Sequence, residues 1–331
     1  MRTDTPIDAN IVSEAIKESG LEVVGRATIR EIVRLVNNIQ AKSGEKYIRM
    51  EMGVPGLIPS EIGTQAEIDA LKKGVAAKYP MIEGVDHLKT EVARFVKMFI
   101  NVDVDPAGCI PTVGSMQGAF ASFLVSCRRD IKKDTTLFID PGFPVQKQQH
   151  KVLGMKYETF DVYDFRGPKL KGKLEEYCSK GNINTILYSN PNNPSWICFT
   201  EEELQIIGEI ANKYDIIVME DLAYFAIDFR KDLSKPGQPP YQPSVTKYTD
   251  NYILLISSSK AFSYAGQRTG CMVISDALYD RQFPDLKRYF SSDRFGYATI
   301  YGALYSLSSG TSHSAQYALA AMLKAANDGD F

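Results

Sequence analysis

Between positions 257 and 268 the chain places a lysine, several serines and an arginine at a spacing that favours Schiff-base chemistry. Lys260 follows the apolar run 253–256 and three serines, and Arg268 stands eight residues further along. Burial at the end of a strand disfavours the ammonium form, so the amine of such a lysine is available as a nucleophile near neutral pH. Ser257 and Ser259 supply hydroxyl groups beside it, and the guanidinium fork of Arg268 suits a phosphate. Condensation with a phosphorylated aldehyde requires this combination.

The elements that must position these residues alternate along the chain. Strands are predicted at 109–113, 136–140, 157–162, 183–189, 216–221, 253–257 and 271–275. Apolar spacing predicts helices at 28–42, at 60–78 with Ser60 as a possible cap, at 115–129, and after Thr200, which forms a capping box with Glu203. The alternation indicates an α/β domain with a mostly parallel sheet and right-handed crossovers. The proline-rich stretch 235–243 is an irregular excursion within that domain.

Residues suited to ligand binding lie at or just after the ends of four predicted strands, at the edge where ligands bind in open α/β sheets. Gly114-Ser115-Met116 opens a helix, whose first N–H groups bind phosphate well, although a plain structural turn also fits. Phe143, between two prolines, holds a ring over a flat cofactor or packs in the core. Prolines on both sides of Asn193 fix that turn, so the amide can be aimed at a ligand oxygen. Asp221, a carboxylate at the end of a buried strand, calls for a cationic partner.

Composition excludes several classes of function. The formal net charge of −2 and the pI near 6.0 give no basic field for nucleic acid. The sequence has no signal-like apolar region and no run approaching ~18 apolar residues, which predicts a soluble cytoplasmic protein without membrane attachment. Five cysteines without C-x-x-C spacing and three scattered histidines predict reduced thiols and no metal site. No G-x-G-x-x-G follows a predicted strand, which disfavours an NAD-dependent oxidoreductase.

The segments NPNNP, EDLAY and SSSKAFSYAGQR, in this order, resemble those of the fold-type-I pyridoxal-phosphate enzymes, and among these the class I/II aminotransferases. The resemblance covers about Met52 to Ser275. It implies an aspartate-aminotransferase-like fold, with a three-layer α/β/α large domain and a smaller α+β domain. The implied domains are an N-terminal arm with part of the small domain at 1–55, a large cofactor-binding domain at 56–287, and an incomplete start of the C-terminal small domain at 288–331.

The resemblance also implies roles for individual residues. Lys260 would form a Schiff base with pyridoxal 5'-phosphate and then move the substrate proton, while Asp221 would pair with the pyridinium nitrogen. Asn193 and Tyr224 would hydrogen-bond the phenolic oxygen, and Asn193 would also contact substrate, while Phe143 would stack on the ring. The phosphate would be held by Gly114, Ser115, Met116, Ser257, Ser259 and Arg268.

Two further roles concern the neighbouring subunit and the substrate. Tyr79 matches a tyrosine that reaches the phosphate of the partner in a homodimer with shared active sites. Gly53 matches the mobile N-terminal segment that closes over the substrate carboxylate. The implied activity is transfer of an amino group between an amino acid and a 2-oxo acid, in amino-acid metabolism and biosynthesis.

The chain departs from the family pattern at two places. Trp196 stands where a small residue, commonly glycine, usually follows the Asn-Pro motif. No arginine occurs from Phe295 to Phe331, where the family places its substrate-carboxylate arginine, so we expect a C-terminally truncated chain; Arg294 is a remote candidate and by default a surface charge. The alternatives that stay open are a C–S lyase, a cyclopropane-forming or a decarboxylating enzyme with the same cofactor, and a non-catalytic ligand-binding module of the same fold.

Overall fold

The structure, a computed structural model, describes residues 7–330. They divide into two compact units, one ending at Gly56 and one beginning at Leu57. The first unit contains two helices, α1 (Ala9–Ser19) and α2 (Ile29–Ser43), joined through a 3₁₀ turn at Val24–Arg26. Thr28 and Glu31 form a capping box at the start of α2, which satisfies backbone donors that the first turn leaves open.

The second unit is built around one seven-stranded sheet. The strands are β1 (Cys109–Thr112), β2 (Thr135–Asp140), β3 (Lys156–Asp161), β4 (Ile183–Ser189), β5 (Ile217–Asp221), β6 (Tyr252–Ser257) and β7 (Gly270–Ile274). Their order in the sheet is β1-β7-β6-β5-β4-β2-β3. β7 pairs antiparallel with both of its neighbours, and the other pairs are parallel. The carboxyl ends of β1, β2, β4, β5 and β6 therefore meet at one edge of the sheet.

Helices cover the sheet and follow its strands. They are α3 (Glu61–Lys72), α4 (Asp86–Ile100), α5 (Gly114–Ser126), α6 (Pro144–Leu153), α7 (Lys169–Cys178), α8 (Glu201–Tyr214), α9 (Ser258–Ala261), α10 (Asp276–Asp280), α11 (Phe295–Tyr297), α12 (Tyr305–Leu307) and α13 (His313–Asp328). A π-helical segment, Ala298–Leu304, joins α11 to α12. Short 3₁₀ turns lie at Val75–Ala77, Pro106–Gly108, Tyr163–Phe165, Val245–Lys247, Ala265–Gln267 and Pro284–Arg288.

The sheet is buried on both faces, which is why its strands are near-continuous apolar runs. Along β5, Val218 belongs to the core on one face together with residues of α4 and α8. Ile217 and Met219 belong to the core on the other face, together with residues of α5. Successive side chains of a strand point to opposite faces, so the two polar residues that end β5 must also point in opposite directions.

The predicted three-layer α/β/α architecture with a mostly parallel sheet is confirmed, and the capping box of Thr200 and Glu203 begins α8 as expected. All five cysteines are free thiols. Within residues 7–330, no helix combines the length and apolar character that a bilayer crossing requires. The division predicted between residues 287 and 288 stays a prediction.

Two predicted helices end early. The helix expected at 60–78 ends at Lys72, because Gly74 adopts a left-handed backbone with φ 77° and a 3₁₀ turn follows. Ser60 precedes that helix, but its side chain makes no capping hydrogen bond. The helix expected at 115–129 ends at Ser126, and Arg129 is instead buried, with Nη1 3.2 Å from Oδ2 of Asp215.

Candidate active site

Asp221 ends β5 as a buried carboxylate that receives two neutral donors. The Gln146 amide, one turn into α6, donates to Oδ2 at 2.8 Å, and the backbone N–H of Ala223 donates to Oδ1 at 3.1 Å. Burial is the largest effect on this group and raises its pKa to about 6. Within residues 7–330, no cationic side chain contributes to that pKa. A buried carboxylate of this kind is stabilised strongly by any cation that binds next to it.

Lys260 lies in the single turn of α9, directly after β6. Its Nζ is 6.0 Å from the centroid of the Tyr224 ring. Burial, and secondarily the charge of Arg268, lowers the pKa of the Lys260 amine. Tyr224 is also affected by Asp221, whose charge adds to burial in raising the pKa of the phenol. Tyr224 therefore lies near both the amine and the carboxylate that the sequence singled out.

The start of α5 and the side chain of Arg268 approach each other closely at Gly114, where any other residue would require the arginine to move. Gly114 has φ 66°, and a Cβ added there would lie 2.7 Å from Nη2 of Arg268. Gly270, which pairs with Ser257 across β6 and β7, allows a second close approach, since its Cβ would lie 3.2 Å from the backbone nitrogen of Ser115. The first turn of a 13-residue helix and a guanidinium thus point to an anion site.

Hydroxyl groups complete this region. Ser257 Oγ accepts a hydrogen bond from the backbone N–H of Ser259 at 3.1 Å. Arg268 Nη1 donates to the carbonyl of Ala265 at 2.8 Å and lies 3.5 Å from Ser259 Oγ. Met116 is joined to α6, because its carbonyl accepts from the Gln149 amide at 2.9 Å. The predicted phosphate contacts of Ser115, Met116, Ser257 and Ser259 stay predictions, although the structure brings these residues to the same edge of the sheet.

The Asn-Pro turn after β4 uses its asparagines differently. Asn192 is fully engaged: its Nδ2 donates to the Pro141 carbonyl at 2.7 Å and to Ser189 Oγ at 3.2 Å, while Oδ1 accepts from the Ser195 hydroxyl at 2.7 Å. Asn193 is fixed through its backbone, whose N–H donates to Ser189 Oγ at 3.2 Å. Within residues 7–330, the Asn193 side chain takes part in none of the hydrogen bonds that engage the Asn192 side chain. Its amide is the one in this turn that remains for a ligand.

Trp196 follows this turn in a conformation that favours glycine. Its φ is 59°, in the left-handed region. The indole is 41% exposed and meets the Tyr224 ring edge to face, with centroids 5.8 Å apart. A backbone requirement thus explains why glycine is common at this place, and the contact with Tyr224 places the indole beside the predicted site.

For three predicted residues, Tyr79, Gly53 and Arg294, the structure does not establish a contact with the residues gathered at this edge of the sheet. Tyr79 is 96% exposed, next to the loop 308–314. Gly53 belongs to the first unit, and its contact with substrate stays a prediction. Arg294 is half-exposed and pairs with Asp280, as expected of a surface charge.

Phe143 precedes α6 as a half-buried residue, and its stacking role stays a prediction. Sequence reasoning missed Gln146, one turn further on, which is the side chain that touches Asp221. The one available signal was its place in the first turn of a helix that starts at the ligand-binding edge of the sheet.

Comparisons with known proteins agree with this geometry. Residues 47–330 match the family described as aminotransferase class I and II. The chain is 25% identical over 252 residues to the probable aspartate aminotransferase of Methanocaldococcus jannaschii, a match that covers 76% of this chain and 61% of the relative. It is 26% identical over 248 residues to the LL-diaminopimelate aminotransferase of Natranaerobius thermophilus, covering 73% and 61%.

A solved structure shares the fold. The alanine aminotransferase of Pyrococcus furiosus superimposes with a TM-score of 0.70 at 22% identity, over 89% of this chain and 70% of that one. The chain spans about three fifths of the length of the curated relatives named above. Since the family match extends over most of the chain and contains every strand of the sheet, the chain belongs to the class I and II aminotransferases.

Proposed function

We propose that this protein binds pyridoxal 5'-phosphate and moves an amino group between an amino acid and a 2-oxo acid. The observation that supports this most directly is the position of Tyr224 near both key groups: Lys260 Nζ lies 6.0 Å from its ring, and the charge of the buried Asp221 carboxylate contributes to raising the pKa of its phenol. Bound pyridoxal phosphate supplies an aldehyde that condenses with amines and a pyridine ring that accepts electrons released at the substrate carbon.

The residues present fit this cofactor. Its phosphate would bind at the start of α5, beside Gly114 and Arg268. A Cβ on residue 114 would fill space next to the guanidinium there. Its ring nitrogen, when protonated, is the cation that Asp221 lacks among the described residues. Asn193 and Tyr224 are the groups available to the phenolic oxygen, and Phe143 to the ring face.

Lys260 has two tasks in this proposal. Its lowered pKa increases the share of neutral amine near pH 7, and only the neutral amine attacks an aldehyde. With the cofactor bound, the same neutral amine would serve as the base that takes up the proton of the substrate α-carbon, and the resulting ammonium would serve as the acid that gives this proton back. Asp221 would hold the ring nitrogen of the cofactor, and its negative charge would favour the protonated form of that nitrogen. Gln146 fixes the carboxylate by its hydrogen bond to Oδ2.

The experiment is a spectral titration followed by product analysis. Wild-type protein and Lys260→Ala are titrated with pyridoxal phosphate, reduced with borohydride, and digested to find the labelled lysine. The cofactor-loaded wild type then receives a panel of amino acids without any 2-oxo acid. We expect label on Lys260 and stoichiometric conversion of cofactor to pyridoxamine phosphate.

Other outcomes identify the competing functions. Continuous release of ammonia without an acceptor indicates a lyase, and release of carbon dioxide indicates a decarboxylase. Tight uptake of cofactor without turnover of any amino acid indicates a binding module. The Lys260 assignment is wrong if Lys260→Ala still yields a lysine-linked product of the wild-type kind.

We further propose a cytoplasmic homodimer that acts in amino-acid metabolism and biosynthesis. Tyr79 supports the dimer: a tyrosine 96% exposed has its ring available to a second copy. The five free thiols support a reducing compartment. Light scattering gives the mass, and recovery of activity on mixing inactive Tyr79→Ala with inactive Lys260→Ala tests whether the sites are shared.

A further inference from the structure

The loop that contains Lys260 and Arg268 has a backbone that its own sequence does not favour. Ser263 and Arg268 both adopt left-handed conformations, with φ 50° and 51°, although neither is glycine. Such residues persist where surrounding contacts hold the chain in place. An external contact that holds this loop therefore affects the two side chains proposed to bind cofactor.

Tyr264 is the buried residue at the middle of this loop. It is 4% exposed, and its backbone N–H donates to the Ser258 carbonyl at 3.1 Å. The Ser258 hydroxyl in turn donates to the Thr269 carbonyl at 2.6 Å. These two hydrogen bonds connect Ser258, at the beginning of the loop, with Tyr264 at its middle and with Thr269 at its end.

The hydroxyl of Tyr264 donates to the carboxylate of Glu67, which lies on α3 and is 197 residues away in sequence. The other carboxylate oxygen of Glu67 accepts from Ser314 Oγ on α13 at 3.0 Å. The two helices are closely packed, since a Cβ on Gly63 of α3 would lie 2.7 Å from the Met322 side chain of α13. Glu67 therefore joins the loop to a pair of helices that cannot easily separate.

We propose that Glu67 is a positioning residue, which acts through Tyr264 to hold the loop 258–269 in the conformation that presents Lys260 and Arg268. This inference rests on the proposed function only in taking those two side chains as cofactor ligands. Loss of the carboxylate leaves the Tyr264 hydroxyl buried without its acceptor and lets the loop leave its left-handed conformations. Cofactor affinity then falls in proportion to the share of molecules whose loop remains in place.

The test compares variants that remove the same kind of contact. Tyr264→Phe deletes only the hydroxyl, Glu67→Ala deletes the acceptor, and Glu67→Gln keeps an oxygen able to accept. Tyr248→Phe is the matched control, because the Tyr248 hydroxyl donates in the same way to Glu201 at the start of α8, at 2.6 Å. All are made in the full chain. Two quantities are measured: affinity for pyridoxal phosphate by absorbance, and hydrogen exchange of peptides from 258–269 without cofactor.

We expect Tyr264→Phe and Glu67→Ala to bind pyridoxal phosphate about tenfold more weakly and to exchange faster in the loop. Glu67→Gln should recover most of the affinity, and Tyr248→Phe should match wild type. Wild-type affinity and exchange in Tyr264→Phe would overturn the proposal, and so would an equal loss in Tyr248→Phe. If wild type takes up no cofactor, the proposed function fails, while exchange in the loop still decides the role of Glu67.

Discussion

Replacing Asp221 with asparagine should stabilise the cofactor-free protein, and by an amount that grows with pH. Burial raises the pKa of Asp221 from the ordinary value of 3.8 to about 6. The folded protein therefore binds a proton more tightly than the unfolded chain. The contribution of the protonated Asp221 to the free energy of unfolding is fully present below pH 3.8. It is lost as the pH rises through about 6, where the folded protein must ionise a buried carboxyl group.

The size of the effect follows from the two pKa values. They differ by roughly two pKa units, each worth about 1.4 kcal/mol, so the ionised form of Asp221 destabilises the cofactor-free fold by about 3 kcal/mol at high pH. Asparagine has the same shape and no charge to bury, so it does not incur this cost. Asp221→Asn should match wild type near pH 4 and exceed its free energy of unfolding by about 3 kcal/mol at pH 8.

The assay is urea denaturation of both cofactor-free proteins at several pH values between 4 and 8, with circular dichroism as the measure of unfolding. Glu220, a second buried carboxylate whose pKa burial raises to about 7, is present in both proteins, so its own pH dependence largely cancels in the difference. A constant difference across the range, or a variant less stable at pH 8, would refute the reasoning. Saturation with pyridoxal phosphate should remove the advantage of the variant, because a protonated ring nitrogen favours the carboxylate.

Two further predictions concern the same edge of the sheet. Gly114→Ala should keep the circular dichroism of wild type but bind pyridoxal phosphate at least about tenfold more weakly, because the new Cβ meets Arg268 and the backbone has φ 66°. Unchanged affinity in an absorbance titration would contradict the proposed phosphate site. Trp196, the single tryptophan of the chain, stands 5.8 Å from the Tyr224 ring, so its fluorescence should fall as pyridoxal phosphate binds; full emission at saturating cofactor would place the indole away from the site.

The location of the candidate site could be predicted largely from sequence, because the order of the strands in the sheet does little to alter where their ends lie. The polar residues that follow β1, β4, β5 and β6 reach one edge in any mostly parallel arrangement of these strands. The registers Ser189 to Asp221 and Ser257 to Gly270 then bring particular side chains side by side. Gly114 and Asp221 could be found in this way because Gly114 lies two residues after β1 and Asp221 ends β5.

Contacts that depend on tertiary packing were not accessible. Nothing in the sequence near Glu67 indicates that its carboxylate accepts from Tyr264, since the two residues are 197 positions apart and belong to different elements. Gln146 is similar, because its amide and the Asp221 carboxylate are 75 residues apart in sequence and meet only in the folded chain. Trp196 was recognised as unusual, but its positive φ, which explains the preference for glycine, is a property of the folded turn.

The adjacent acids that end β5 show how strand geometry assigns different tasks to chemically similar residues. Glu220 points to the same face as Val218 and accepts from Asn190 Nδ2 at 3.3 Å, from the backbone N–H of Val245 at 3.2 Å, and from the Ser244 hydroxyl at 2.5 Å. These donors come from the Asn-Pro turn and from the chain after the proline-rich stretch, so Glu220 connects the two segments.

Asp221 points to the opposite face and has two donors, one from its own turn and one from α6. A carboxylate accepts about four hydrogen bonds, so Asp221 retains more capacity than Glu220 for a further partner. Both pKa values are raised by burial, and burial alone does not separate the two acids. The difference lies in the number of donors around each acid. Glu220 accepts three hydrogen bonds, which hold loops in place, whereas Asp221 accepts two and keeps capacity for a cation that the described residues do not supply.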